Sequence, residues 1–195
     1  MTERRDPELT DLKRRLANST VMGTVSKVDH ENARYRVKVG ELETDWIPKL
    51  KSRSGKTRVY EPLDEGEQVL VQSVSGDLSQ GVIVGSVETN ERQAGNTGTV
   101  HRTVYPDGTV VEYDDDKGVS VALAAGKSST TTVGGVSFVT SQDGVEITVG
   151  GFSFTITGGG LDMAGGEITH NGRNIGSTHI HGGVMRGGDV TDPPA

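Results

Sequence analysis

Residues 132–157 read TVGGVSFVTSQDGVEITVGGFSFTIT, and the fold turns on how this stretch is understood. Apolar and polar residues alternate in runs of strand length, and the runs are separated by Gly-Gly or Asp-Gly, the punctuation of tight turns. Two of the runs are near copies: TVGGVSFVT begins at Thr132 and TVGGFSFTIT at Thr148, an offset of 16 residues. Repetition at a fixed offset means one structural unit reused. Val136, Phe138, Val145, Ile147, Phe152, Phe154 and Ile156 share one face and must bury it. A thin ribbon has nothing of its own to bury that face against. Three copies wound about a common axis would turn the apolar faces inward, pair each strand edge with the next chain and leave no edge open.

The same texture extends on either side. TVVEYDD from Thr109 and GVSVAL from Gly118 are further alternating runs, and no helical period appears beyond residue 98. The chain has 195 residues, of which 32% are hydrophobic and only 4% aromatic, and its 28 glycines crowd into the second half. That half is poor material for a monomeric core. Disorder competes as a reading of a Gly-rich, apolar-poor stretch, but the recurring strand pattern favours assembly.

Toward the N-terminus the texture differs. Leu9, Leu12 and Leu16 fall at i, i+3 and i+7 among charged residues, predicting a short amphipathic helix over 7–17. VMGTVSKVD, ARYRVKVG and ELETDWIP then supply three strands, a basic stretch KLKSRSGKTRVYEP intervenes, and EQVLVQSV and GVIVGSV supply two more. Five short strands with one long loop fit a small closed barrel of the OB type. The polar, aperiodic stretch ETNERQAGNTG from Glu88 marks the domain boundary. The expected organisation is a helical segment over 1–20, an OB-fold domain over 21–90, a linker over 91–98, a trimeric β-helix over 99–168 and a tip over 169–195.

Charge is divided in the same way. Residues 1–60 carry 14 basic and 9 acidic side chains, a net +5, and the remainder carries 6 and 18, a net −12. An acidic second half argues against nucleic acid as its partner, and in the first domain Tyr35, Trp46 and Tyr60 are too few to form a stacking surface. The basic residues Lys49, Lys51, Arg53, Lys56 and Arg58 suit an acidic protein partner better. With no cysteine there is neither a disulfide framework nor a thiolate metal site. The N-terminus MTERRDPELTDLKRRL has no signal-peptide hydrophobic region and no apolar run approaches bilayer length, so synthesis in the cytoplasm is expected. No nucleophile elbow, phosphate loop or Cys/His pairing is present, so no enzyme is expected. Asp114, Asp115 and Asp116 lack the spacing of a calcium loop and read as a solvated turn.

The chemistry concentrates in HNGRNIGSTHIHGGVMRGGDVTDPPA, at His179 and His181. In a strand the two imidazoles point to one side and Ile180 to the other. Facing a threefold axis, three such pairs place six imidazole nitrogens around one ion. That set suits octahedral ferrous iron, cobalt or nickel better than tetrahedral zinc. His30, His101 and His170 lie apart from the pair. An H-x-H pair taken alone is more often two solvated histidines, and it is the threefold setting that points to a metal.

GVIVGSV closing the barrel, YPDGTVVEYD at Tyr105–Asp114 and NIGSTHIHGG near the end, in this order, closely resemble the baseplate assembly protein V, or central tail spike, family of contractile-tail bacteriophages. The resemblance covers nearly the whole chain. It implies a homotrimer on the tail baseplate of the virion, with OB-fold domains docked on a hub protein and an intertwined β-helix narrowing to a tip that pierces the host outer membrane. It further implies one iron ion on the trimer axis, held by six histidines, which here map onto His179 and His181. Some distant relatives carry a lysozyme domain between barrel and needle, for which residues 81–98 leave no room. A trimeric OB-fold module for nucleic acid or glycan, or the spike of a related contractile injection system, are the alternatives.

Overall fold

A computed structural model describes residues 6–183 and 187–188; most of the last segment, RGGDVTDPPA, lies outside the described residues. The chain divides into two compact units, Met1–Asn96 and Thr97–Ala195. The first opens with helix α1, Pro7–Ala17. Asp6 caps it by accepting from the Glu8 N–H, Pro7 occupies a first-turn position where no donor is needed, and Arg14 and Arg15 lie in the last turn, where the helix dipole favours cations.

Six strands follow: β1 Thr20–Asp29, β2 Arg34–Val39, β3 Leu42–Glu43, β4 Ile47–Pro48, β5 Gln68–Ser73 and β6 Gly81–Ser86. They form one antiparallel sheet in the order β3-β2-β1-β5-β6, with β4 also on β2. Its outer members meet at a parallel bridge between Lys49 and Ile83, where the Leu50 N–H donates to the Ile83 carbonyl at 2.7 Å. This is the strand order of an OB domain, drawn together by one bridge instead of a full ladder. The run ELETDWIP, expected as one strand, is split into β3 and β4. The Thr44 hydroxyl accepts from the Val37 N–H at 3.0 Å and donates to the Asp45 carbonyl, so a side chain takes a place in the ladder and the backbone turns away.

The core is Val25, Tyr35, Val37, Ile47, Leu63, Val69, Val71 and Ile83, each at most 2% exposed. Val69 and Val71 on β5 and Ile83 on β6 are the inward members of alternating runs, while Leu63 arrives from the preceding loop with its N–H directed at the Tyr35 hydroxyl. Ile83→Ala should weaken this unit by about 2–5 kcal/mol, because the closed core cannot collapse into the space left. Reduced hydrogen-exchange protection across β5 and β6 is the measurement that checks it.

The second unit is made of hairpins. β7 Val100–Val104, β8 Val110–Asp114 and β9 Gly118–Ala122 form a three-stranded meander. β10 Ser128–Val133, β11 Val136–Ser141, β12 Gly144–Val149, β13 Phe152–Thr157 and β14 Gly160–Ala164 form a five-stranded one, and β15 Thr169–His170 with β16 Arg173–Asn174 completes the series. Between β10 and β14 each strand is joined to the next by a two-residue turn. At Gly134 and Gly150 the first turn residue has φ of +58° and +59°, as type II′ hairpins require and as residues with a Cβ resist. Since turns alternate between the two ends of the strands, TVGG recurs after 16 residues, when the chain returns to the same end. Pairing therefore runs hairpin by hairpin within the chain. What remains for other chains is the outer edges of β10 and β14 and the faces of the sheet.

Those faces are sharply unequal. Directly paired residues share a face, so the ladders align Val133, Val136, Val149 and Phe152 in one row, and Phe138, Ile147, Phe154 and Met163 in the next. Val145, Ile156 and Leu161 extend a third. The opposite face carries Thr130, Thr132, Ser137, Glu146, Thr148, Ser153, Thr155 and Asp162, with Val139 and Ala164 as its apolar members. Among the described residues none beyond Ile83 is buried in the single chain; Val133 is 75% exposed, Leu161 56% and Phe138 45%.

Candidate functional site

The His179–His181 region is organised by the last hairpin. Asn171 and Gly172, both at positive φ, make the tight turn that pairs β15 with β16, and the Ile175 N–H closes the hairpin on the Ile168 carbonyl at 2.8 Å. The Asn174 side chain then directs the chain onward. Its Oδ1 accepts from the Gly176 N–H and its Nδ2 donates to the Thr178 hydroxyl, both at 2.8 Å. The turn so formed presents the Gly176 carbonyl to His179, whose backbone N–H lies 3.1 Å from it and whose Nδ1 lies 2.7 Å from it.

A carbonyl oxygen can only accept. The Nδ1 of His179 must then carry the proton, and the lone pair belongs to Nε2. Fixing one ring nitrogen to a backbone carbonyl so that the other can bind is a recurrent support for metal-ligating histidines. The His179 and His181 rings stand 5.1 Å apart, edge to face at 81°, while Ile180 between them is 92% exposed. The two imidazoles thus stand together, not in the strand that their spacing predicted but past the last ladder, after a turn built by Asn174 and Gly176. Those two residues escaped the reading of the motif. The signal was there in Asn followed two positions later by Gly, a pattern for an Asx turn.

Among the described residues of one chain, no group of three or more His, Asp or Glu side chains converges on a single point. Among the described residues one chain therefore offers a pair of imidazoles, and the pair fits a metal only as part of a larger set. The Asp114–Asp116 run is occupied locally: Asp114 Oδ1 accepts from the N–H groups of Asp116 and Lys117, and these bonds hold its carboxyl below the usual carboxylate range. It is a turn.

A second surface lies on the first unit. Lys49, Lys51, Arg53, Lys56 and Arg58 form no ion pair among the described residues, and between Trp46 and Tyr60 the chain has no acidic residue. The segment doubles back on itself through a bridge between Ser54 and Arg58. The nearby aromatic rings are already engaged. Tyr35 is buried, Trp46 lies 5.4 Å beneath the Arg36 guanidinium, and Tyr60 lies 5.5 Å beneath the Lys51 ammonium. This is a cationic surface without the ranked stacking faces of a nucleic-acid groove.

Comparison with known proteins agrees with this division of the chain. Residues 21–87 match the type VI secretion system/phage-baseplate injector OB domain. Residues 177–195, which include both histidines, match the GpV Apex motif. The chain is 26% identical to the Spike protein of Escherichia phage P2, over 92% of its own length and 94% of that protein. An OB-domain match at one end, an apex-motif match at the other and likeness to a spike protein along nearly the whole length together support kinship with the phage baseplate spike proteins.

Proposed function

We propose that the protein acts as a homotrimer at the tip of a contractile tail and pierces the host outer membrane mechanically. The observation that carries this reading is the second unit's apolar sheet face, which is uncovered in the single chain. Burying a side chain such as Phe, Ile or Val is worth about 1.5–3 kcal/mol, and each chain has more than ten on this face, so three copies facing one axis gain far more than ordering costs. The Ser/Thr-rich face then meets solvent. A shaft in which every chain covers the others resists unfolding under load, as a needle driven by a contracting sheath must. Its role is structural, and its place is the virion baseplate.

In this reading one iron ion lies on the trimer axis, bound by His179 and His181 of all three chains. His179 is held through its Nδ1 by the Gly176 carbonyl with its Nε2 available, and the ion ties the three chains together past the last ladder. The first unit docks on the baseplate hub. Its unpaired cations at Lys49, Lys51, Arg53, Lys56 and Arg58 support an acidic docking partner.

Docking and trimerisation separate cleanly by truncation. A fragment of residues 97–195 is expected to form trimers and to fail to join baseplates assembled without spike; normal incorporation of the fragment would show that the first unit is not the docking element. Piercing is tested on cells carrying a periplasmic marker enzyme. Tails with the spike, triggered to contract, should release the marker, and equal release by spike-free tails would refute the puncturing role.

A further inference from the structure

Helix α1 is mounted with its apolar side away from its own barrel. At 100° per residue Leu9, Leu12 and Leu16 occupy one arc of about 60°, and Asp11, Arg14, Arg15 and Asn18 centre roughly 140° away. The second arc faces the barrel. Arg14, Arg15 and Asn18 line one side of a groove of about 550 Å³, whose other side is the β5–β6 connection from Val74 to Gln80. Ser73 on β5 donates through its hydroxyl to the Asn18 carbonyl at 2.6 Å. Ser75 and Gly76 both adopt φ of +71°, and a Cβ on Gly76 would fall 2.3 Å from the Arg15 carbonyl oxygen, so the connection is bent to admit the helix backbone. The helix is fixed in place by its polar side. Leu9, Leu12 and Leu16 remain 49%, 62% and 73% exposed, and no residue of the helix is buried.

The barrel has an apolar strip of its own. Met22 on β1 pairs with Leu70 on β5, and Leu70 with Gly85 on β6, forming one row across three adjacent strands. Met22 is 56% exposed and the neighbouring Val84 38%. Above Gly85 nothing stands within 4 Å of where a Cβ would be, which leaves a notch at the end of the row.

We propose that the leucine stripe of α1 in one copy packs on the Met22–Leu70–Gly85 row of the next, so that the three first units close into a ring. The proposal rests on the trimeric reading above, which holds three copies at high effective concentration. Each chain then contributes one stripe and one row, and a head-to-tail contact of this kind uses both in every copy, closing at three when the copies share the threefold axis of the trimeric reading. Docking of α1 on a hub protein would cover the stripe but leave the row exposed. The apolar strip and the apolar stripe are accounted for together only by a second copy.

The absence of cysteine from the chain makes the test direct. Met22→Cys is combined in the full-length protein with Leu9→Cys, Leu12→Cys or Leu16→Cys, and each pair is oxidised mildly after the native mass has been measured. At least one pair should carry most chains into covalent trimers on a denaturing gel, and none of the single substitutions should. A trimer by native mass that gives no interchain link with any pair overturns the ring. So does a link within one chain, and so does a link formed by a leucine position alone, which would mean that helices meet each other. A monomer by native mass instead brings down the trimeric reading beneath it.

Discussion

Phe154→Asp is expected to leave the protein as separate chains with an intact first unit. Phe154 stands in the middle of β13, paired with Ile147 on one side and Met163 on the other, at the centre of the apolar face. The proposed threefold arrangement would bring three copies of this position toward one axis. Removing a buried Phe side chain alone costs about 3–5 kcal/mol, so on the order of 9–15 kcal/mol is lost per trimer if the three sites add. Three carboxylates would also enter a place with no cation to pair them, a further several kcal/mol for each charge. Sedimentation at micromolar concentration reads the outcome. Ser153→Asp, one residue back on the polar face between Thr148 and Ala164, provides the control and should assemble normally. A Phe154→Asp protein that sediments as a stable trimer would remove the basis for burying this face between chains. Exchange protection in β5 and β6 should be unchanged in either variant, because the first unit has its own core.

Replacing His179 and His181 together by Ala is expected to abolish bound metal without dissolving the trimer. Elemental analysis of the native wild-type assembly should find one transition-metal ion per three chains, and the double variant should have none. The apolar rows through Phe138, Ile147 and Phe154 lie upstream in the chain on ladders that do not include the pair, so assembly persists. The cost is local. Protease sensitivity should rise beyond about Asn171, where the short β15–β16 hairpin has few partners, and puncture of membranes should weaken while baseplates still assemble. Acid acts in the same direction as the substitution, since protons and metal compete for the same ring nitrogen and only neutral imidazole binds. Wild-type trimer purified without chelator and free of transition metal, or a double variant with undiminished metal, would rule the pair out as ligands.

The parts of this fold that follow from periodicity were legible in the sequence. Leucines at i, i+3 and i+7 gave the extent of α1, and the alternating runs with their glycine turns gave the strands of the second unit. Periodicity says which face is apolar, but it is silent about what covers that face. Hence the leucines of α1 marked a helix and did not reveal that Arg15 and Asn18, on the other side, are what touch the barrel. It is also blind to side chains that enter the backbone ladder. Thr44 divides an apparently continuous strand for that reason. At the histidine pair the spacing drew attention to His179 and His181, whereas the turn that leads to them, built by the Asn174 amide gripping Gly176 and Thr178, depends on hydrogen bonds that no alternation pattern contains.

The two-residue turns between β10 and β14 have a consequence for how such a sheet can change over time. Each strand with its turn occupies eight residues, and two of them return the chain to the same end with the same face inward, as the recurrence of TVGG shows. Duplicating or deleting one 16-residue block would therefore lengthen or shorten the sheet by two strand spacings, about 9.5 Å, while the rows on either side keep their register. Sheet length is in this sense a quantised trait, adjustable in steps of about 1 nm.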